Sequence, residues 1–258
     1  MDHRFSDQVA IVTGSSSGIG KATALRLAEE GAAICVVANR NVEGGEKTVA
    51  EIAAMDGRAI FVQADVGVGD DCRRIIDETI STLGQIDVLI NNAGITRGAK
   101  LEEFEEELWD RLMNTNLKSA YLMSRFAVPH MLERGQGAMV NISSIHAEAT
   151  RPAYGAYAAT KAGMSALTRG HAVEFGARGI RFNCILPGTI DISNYSRRSE
   201  SPRASNWIPR ASEEQVMKRC GSADEVAAAI AFLASGEASF VNGATLVVDG
   251  GLMSLLKD

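Results

Sequence analysis

Tyr157 and Lys161 stand four residues apart in YGAYAATKAGMSALTRGHAVEF, a stretch that reads as a helix. That spacing puts both side chains on one face, one turn apart. A free tyrosine has a pKa of about 10, too high for an efficient base near neutrality. A lysine cation beside the ring favours the phenolate and lowers that value. A tyrosine tuned in this way can pass a proton to or from an alcohol or carbonyl oxygen. A packed tyrosine with a solvated lysine nearby would leave the same two letters. Of the four tyrosines, however, only Tyr157 has a lysine at the fourth position after it.

The elements upstream must give that pair something to act on. Residues 8–14 form a short β-branched run, the pattern of a strand covered on both faces. TGSSSGIG, residues 13–20, runs from it directly into KATALRLAEEGA, which has helical periodicity. Strand, glycine-rich turn and helix in that order make a phosphate site. Glycine lets backbone approach a ligand, and a helix N-terminus presents unpaired N–H groups with partial positive charge. The spacing Gly14-xxx-Gly18-x-Gly20 is one residue longer in its first gap than GxGxxG. A plain βα turn with a serine cap is the alternative reading.

The second strand, residues 33–39, runs into Arg40. In a dinucleotide site this strand end faces the adenosine ribose, where an acid would repel a 2′-phosphate. Neutral Asn39 removes that repulsion and Arg40 offers a guanidinium fork, which favours NADP over NAD. The competing reading makes Arg40 a solvated loop charge and Asn39 a partner of an unphosphorylated ribose. GGEKTVAEIAAMDG is expected as a helix ending at Gly57, and AIFVQAD as a strand ending at Asp65 and Val66. Asp65 suits either an adenine amino group or the cap of the helix that begins near Asp70.

A fourth strand, residues 86–94, carries Asn91 and Asn92 at its end. Asparagine is a poor strand residue, so a specific hydrogen-bonding duty is expected there. Asn114, Thr115 and Asn116 interrupt a long amphipathic segment; they compete for backbone bonds, and a local distortion would aim Asn116 inward. GAMVNIS delivers Ser143 and Ser144, and IRFNCILPG ends at Pro187 and Gly188. Residues 190–219 lose periodicity and are rich in serine, arginine and proline, as a lid or binding loop would be. SADEVAAAIAFLAS reads as a helix and NGATLVVDGG as a closing strand. Seven strands alternating with helices, without repeat or linker, predict one α/β domain over residues 1–258, a doubly wound parallel seven-stranded sheet.

Composition narrows the function classes. The chain has 258 residues, and a net charge of −6 argues against general nucleic-acid or anionic-membrane binding. Cys35, Cys72, Cys184 and Cys220 include no CxxC pair and the four histidines no ligand spacing, so neither a metal nor a disulfide framework is expected. No apolar run approaches about 20 residues, the length needed to span a bilayer, and MDHRFSDQ is polar. The cytoplasm is the expected location.

Taken together, TGSSSGIG, NNAG at 91–94, Asn116, the serine of NISS, YxxxK and PG at 187–188 occur in one order. Each motif alone is common, but the ordered set, from about Gln8 to Met253, resembles the short-chain dehydrogenase/reductase family. The thirteen-residue step from Ser144 to Tyr157 matches it too and selects Ser144 over Ser143. The resemblance implies a Rossmann-like domain that moves a hydride between a nicotinamide cofactor and a secondary alcohol or ketone. It implies Tyr157 as proton donor or acceptor, Lys161 as its partner and holder of the nicotinamide ribose, Ser144 on the substrate oxygen and Asn116 in a water-mediated relay. Gly14, Ser17, Gly18, Ile19 and Gly20 would border the pyrophosphate and adenosine. Asp65 and Val66 would meet adenine, and Asn92, Ala93 and Gly94 the middle of the cofactor. Pro187, Gly188 and Ile190 would lie at the nicotinamide. The family often has threonine or serine two residues after the position of Ile190; this chain has Ile192 there, with Ser193 and Thr189 as the nearest substitutes.

The resemblance implies a homotetramer, which the sequence permits. His146 lies where relatives line the substrate pocket, and is otherwise an idle loop histidine. Arg197, Arg198, Arg203 and Arg210 suit an anionic substrate or a solvated loop; Tyr195 and Trp207 suit a stacked ring or a packed lid. A sugar, polyol, hydroxy acid, oxoacyl compound or steroid all remain open. The competing function class is a non-catalytic nucleotide-binding sensor or scaffold; loss of Ser144, Tyr157 or Lys161 would mark it, and all three are present. An epimerase or dehydratase needs a larger substrate domain after the sheet, and the chain ends seven residues after VDGG.

Overall fold

The computed structural model describes residues 3–195 and 215–255. Its strands are β1 (Val9–Thr13), β2 (Ala33–Ala38), β3 (Ala59–Gln63), β4 (Val88–Asn91), β5 (Gly137–Ile142), β6 (Ile180–Pro187), β7 (Ile190–Asp191), β8 (Gly221–Ser222) and β9 (Thr245–Val248). Seven of them form one parallel sheet in the order β3-β2-β1-β4-β5-β6-β9, as the sequence predicts. β7 and β8 pair separately. The connecting helices are α1 (Gly18–Glu29), α2 (Val42–Ala53), α3 (Gly69–Leu83), α4 (Glu106–Leu112), α5 (Ser119–Arg134), α6 (Gly155–Phe175) and α7 (Ala223–Ala234).

Alternate strand residues feed two cores. Ile11 and Leu89 share one with Ile75 of α3, Met123 of α5 and Ala172 of α6. Ala10, Val12, Val88 and Ile90 share the other with Leu27 of α1, Ile52 of α2 and Ile230 of α7. Both sheet faces are covered, which is why the strands read as unbroken apolar runs. The strand order reverses between β1 and β4, and a crevice at the carboxyl ends of such strands is where doubly wound sheets bind ligands.

Several boundaries shift from expectation. α2 starts at Val42, before the expected stretch, because the Asn41 side chain accepts from Gly44 N at 3.1 Å and caps it. It ends at Ala53, and Asp56 turns the chain with φ 59 before Gly57. β4 stops at Asn91, short of Gly94, and β2 at Ala38, which leaves Asn39 on the bend beyond. Among the described residues no helix is long and apolar enough to cross a membrane.

The end of α1 is tied to the start of the chain. The Glu30 side chain is 3% exposed and accepts from Arg4 Nε at 2.6 Å, Arg4 Nη2 at 2.8 Å and Arg26 Nε. Burial acts to raise the Glu30 pKa, but the bonds from Arg4 and Arg26 outweigh it and hold the carboxyl below its usual value. A depressed native pKa stabilises the fold above the unfolded value of about 4.3. That contribution is lost as pH falls through the native value. Glu30→Gln is expected to cost about 2 kcal/mol of unfolding free energy at neutral pH, read from urea melts. The gap from wild type should close on acidification.

Candidate active site

The glycine turn is shaped by contacts that leave no room for side chains. Ser15 stitches it to the sheet: its hydroxyl donates to Val12 O at 2.6 Å and accepts from Val37 N at 3.0 Å. Gly14 has φ 67, and a Cβ on Gly20 would lie 2.4 Å from both Gly14 O and Asn92 Nδ2. Glycine is thus required at 14 by conformation and at 20 by close approach. At the N-terminus of α1, Ser17 makes no side-chain capping bond and the first turn holds no acid. A cradle without Cβ atoms beside uncapped N–H groups fits a pyrophosphate.

Thr13 straps β1 to β4. Its hydroxyl accepts from the Asn92 and Ala93 N–H groups at 3.0 Å each, while Asn92 Nδ2 donates to Thr13 O at 2.8 Å. The Asn92 amide therefore holds the turn, and Thr13 is a supporting residue that sequence reasoning missed. Asn91 Nδ2 donates to Asn141 Oδ1 at 2.8 Å, and Asn141 Nδ2 to Thr168 at 2.8 Å. The expected hydrogen-bonding duty of both asparagines is met inside the protein.

At the far end of the turn, Asn39 Nδ2 donates to Asp65 Oδ2 at 2.7 Å, and Arg40 is exposed on the bend. Asp65 does not cap α3: its Oδ1 accepts from Gly67 N at 2.9 Å, and Val68 precedes the helix. The direction is reversed, since Asp71 of α3 accepts from Asp65 N at 2.7 Å. Val66 is buried in the core that also holds Cys72 and Ile75.

The distortion expected near Asn116 is a π-turn, Met113–Lys118, between α4 and α5. It buries Asn116 completely. Ile95 N donates to Asn116 Oδ1 at 2.8 Å, and Asn116 Nδ2 donates back to Ile95 O at 2.9 Å. The loop after β4 is thereby fixed. Gly94 sits where α6 and this turn converge; a Cβ there would be 3.3 Å from Asn116 Oδ1 and 3.6 Å from Lys161 Nζ.

The two serines just after β5 divide their tasks. Ser143 Oγ donates to Lys161 O at 2.7 Å and anchors α6. Ser144 Oγ accepts from His146 N at 3.2 Å, so its own proton remains to be donated. Lys161 Nζ donates to Ile142 O at 2.8 Å and lies 5.8 Å from the Tyr157 ring centroid. The Tyr157 ring stands edge-on to His146 at 5.4 Å. His146 Nδ1 lies 2.8 Å from Thr150 Oγ1. Burial, then the charge of Arg151, pushes the His146 pKa down, so the ring is neutral near pH 7.

A cavity of about 940 Å³ brings these parts together. Ile19, Asn92 and Gly94 line it from the first half of the chain, with Ser144 and His146 from the turn after β5, Tyr157 and Lys161 from α6, and Pro187, Gly188 and Ile190 from the end of β6 onward. Gly14, Ser17, Gly18, Gly20, Asn39, Arg40, Asp65, Val66, Ala93 and Asn116 stand outside its wall: in the glycine turn, around the Asn39–Asp65 pair, or behind the lining. Thr189, Ile192 and Ser193 all reach it. Tyr154, Arg151 and Leu252 also line it and were not foreseen. Tyr154 carried a signal, one helical turn before Tyr157. Tyr195 is tied to α7, its hydroxyl donating to Asp224 Oδ1 at 2.5 Å. Its pKa is pushed up to about 12 by burial and then by Asp224. Arg197, Arg198, Arg203, Trp207 and Arg210 lie outside the described residues.

The chain is similar to known proteins over nearly its whole length. The family model described as enoyl-(acyl carrier protein) reductase matches residues 14–253. The 3-oxoacyl-[acyl-carrier-protein] reductase FabG of Thermotoga maritima is 36% identical over 252 residues, 97% of this chain and 99% of that one. The FabG of Staphylococcus epidermidis is 38% identical, over 94% of this chain and 98% of its own. A gluconate 5-dehydrogenase from Burkholderia cenocepacia, solved in complex with NADP and tartrate, superposes with a TM-score of 0.88 at 36% identity, covering 98% of each chain.

Proposed function

The chain belongs to the short-chain dehydrogenase/reductase family and is an NAD(P)-dependent oxidoreductase; on that premise we propose that it interconverts a secondary alcohol and a ketone, with Tyr157 as general acid and base. The carrying observation is the meeting of Ser144, Tyr157 and Lys161 in one cavity that also receives the glycine turn through Ile19 and the loop after β4 through Gly94. The cofactor, when bound, supplies the hydride acceptor or donor. Everything else falls to the chain. Ser144 donates its remaining proton to the substrate oxygen, where negative charge develops. Tyr157 takes the alcohol proton as the carbon loses hydride, and returns it in the reverse direction. Lys161 keeps a positive charge beside the ring, its Nζ held by Ile142 O. Asn116, locked onto both backbone groups of Ile95, positions the loop that carries Gly94 beside Lys161.

NADP is the cofactor we favour. Neither bend residue is an acid, although Asn39 Nδ2 donates to Asp65 Oδ2 at 2.7 Å, and Arg40 is exposed beside it. Two solved relatives hold NADP, among them a short chain dehydrogenase from Burkholderia cenocepacia at 32% identity. Arg40→Ala is expected to weaken NADPH binding by about tenfold and NADH binding little, by calorimetry. Equal losses would mean that Arg40 does not read the 2′-phosphate. Relatives named for oxoacyl reduction and for gluconate oxidation make both substrate types candidates. A homotetramer in the cytoplasm completes the reading; exposed Trp109, Val173 and Phe240 offer apolar faces for assembly.

A further inference from the structure

After β6 the chain runs back to the glycine turn as a strap, residues 189–195, fastened at both ends. At the near end Thr189 O accepts from Gly221 N at 3.0 Å and from Nε2 of the buried Gln215 at 3.1 Å. Ile190 and Asp191 pair there with Gly221 and Ser222. At the far end Tyr195 packs on the cluster formed by Ala22 of α1 with Ala223 and Ala227 of α7. Its hydroxyl donates to Asp224 Oδ1 in the first turn of α7.

Between these ends the strap rests on the cradle. A Cβ on Gly18 would lie 3.5 Å from Ile192 Cγ2 and 3.6 Å from Ile192 Cδ1, so the Ile192 side chain roofs the first residue of α1. Ile192 and Ser193 also line the cleft that holds Tyr157 and Lys161. The turn that joins Ile192 to Tyr195 is tight: Asp191 Oδ1 accepts from Ser193 N at 2.8 Å, and Tyr195 N donates to Ile192 O at 3.0 Å. Ile192 and Tyr195 are thereby coupled, and a displacement of Tyr195 lifts the roof. A phenol on a carboxylate is among the stronger kinds of hydrogen bond. An apolar roof excludes water from an anion at a helix N-terminus, and segments that close in this way commonly govern ligand release.

We propose that Tyr195 and Asp224 are positioning residues that latch Ile192 over the glycine turn and so set how long the nicotinamide cofactor stays bound. This rests on the reading of that turn as the pyrophosphate cradle and adds the step that controls release. The test is stopped-flow release of NADPH, its fluorescence followed as the loaded protein is mixed with excess NADP; NADH and NAD serve if wild type binds that pair instead. Tyr195→Phe and Asp224→Asn should each speed release by about tenfold. Each keeps the size of its side chain, so either can stand for the pair if the other fails to fold. Ile192→Ala should speed release as well. Adding Tyr195→Phe to Ile192→Ala should then change the rate by less than about twofold, because the latch acts through the roof. A merely structural bond would lower the melting temperature and leave the release rate at the wild-type value, and that result overturns the proposal. A full tenfold gain from Tyr195→Phe on the Ile192→Ala background overturns it too, yet leaves the cradle reading standing. Wild type that binds neither cofactor would sink both, and shows before any variant is made.

Discussion

Tyr157→Phe is expected to lower kcat by about 10³-fold in both directions while leaving cofactor affinity unchanged. The substitution removes one oxygen and keeps the ring. The ring's edge contacts with His146 at 5.4 Å and Tyr154 at 6.4 Å survive, so the cleft keeps its shape. Lys161 keeps its bond to Ile142 O, and the glycine turn is untouched. What is lost is the group that exchanges a proton with the substrate oxygen. Because one group serves both directions, oxidation and reduction should fall together. Calorimetric titration with NADP and NADPH checks the binding half, and initial rates check the other. Retained turnover would remove Tyr157 from the mechanism.

Lys161→Met is expected to separate stability from activity. The lysine is 4% exposed, and its ammonium donates to Ile142 O at 2.8 Å in a buried setting. Burying a charge is unfavourable, and methionine fills nearly the same volume, so the melting temperature should hold or rise. Activity should fall by about 10²-fold or more, because the positive charge beside the Tyr157 ring is gone. Cofactor affinity should fall too, as the remaining Nζ protons can no longer serve a ribose. Calorimetric melts and rates on one preparation decide the matter. Marked destabilisation, with activity lost only in proportion to unfolding, would make Lys161 a structural residue.

These residues were legible because chemistry leaves short-range traces. The pair at 157 and 161 is one helical turn, and the weak helix formers at 114–116 foretold the π-turn that aims Asn116 inward. Unbroken apolar strands foretold a sheet covered on both faces. What stayed hidden depends on contacts distant in sequence. Asp65 suited either adenine or a helix cap; it does not cap α3, and the carboxylate that reaches across is Asp71. Asn92, expected at the middle of the cofactor, lines the cleft, and its amide is also held by Thr13 O across the strand pair. Leu252 reaches the cleft because β9 pairs in register with β6, Val248 beside Pro187, and the chain leaves the sheet next to Gly188. No local pattern announces that neighbourhood. Tyr154 carried a signal, one turn before Tyr157, but its place against His146 follows a left-handed turn at Ala153 (φ 71), a conformation that alanine does not advertise.

The central claim is that this cleft transfers hydride between carbon and a nicotinamide under the control of Tyr157. The most direct test offers C-deuterated alcohols with NADP to wild type and to Tyr157→Phe, and reads deuterium in the reduced nicotinamide by mass spectrometry. Deuterium carried over by wild type and lost in Tyr157→Phe is the predicted result. Equal transfer by both proteins, or none from any alcohol while NADP is bound, would contradict it.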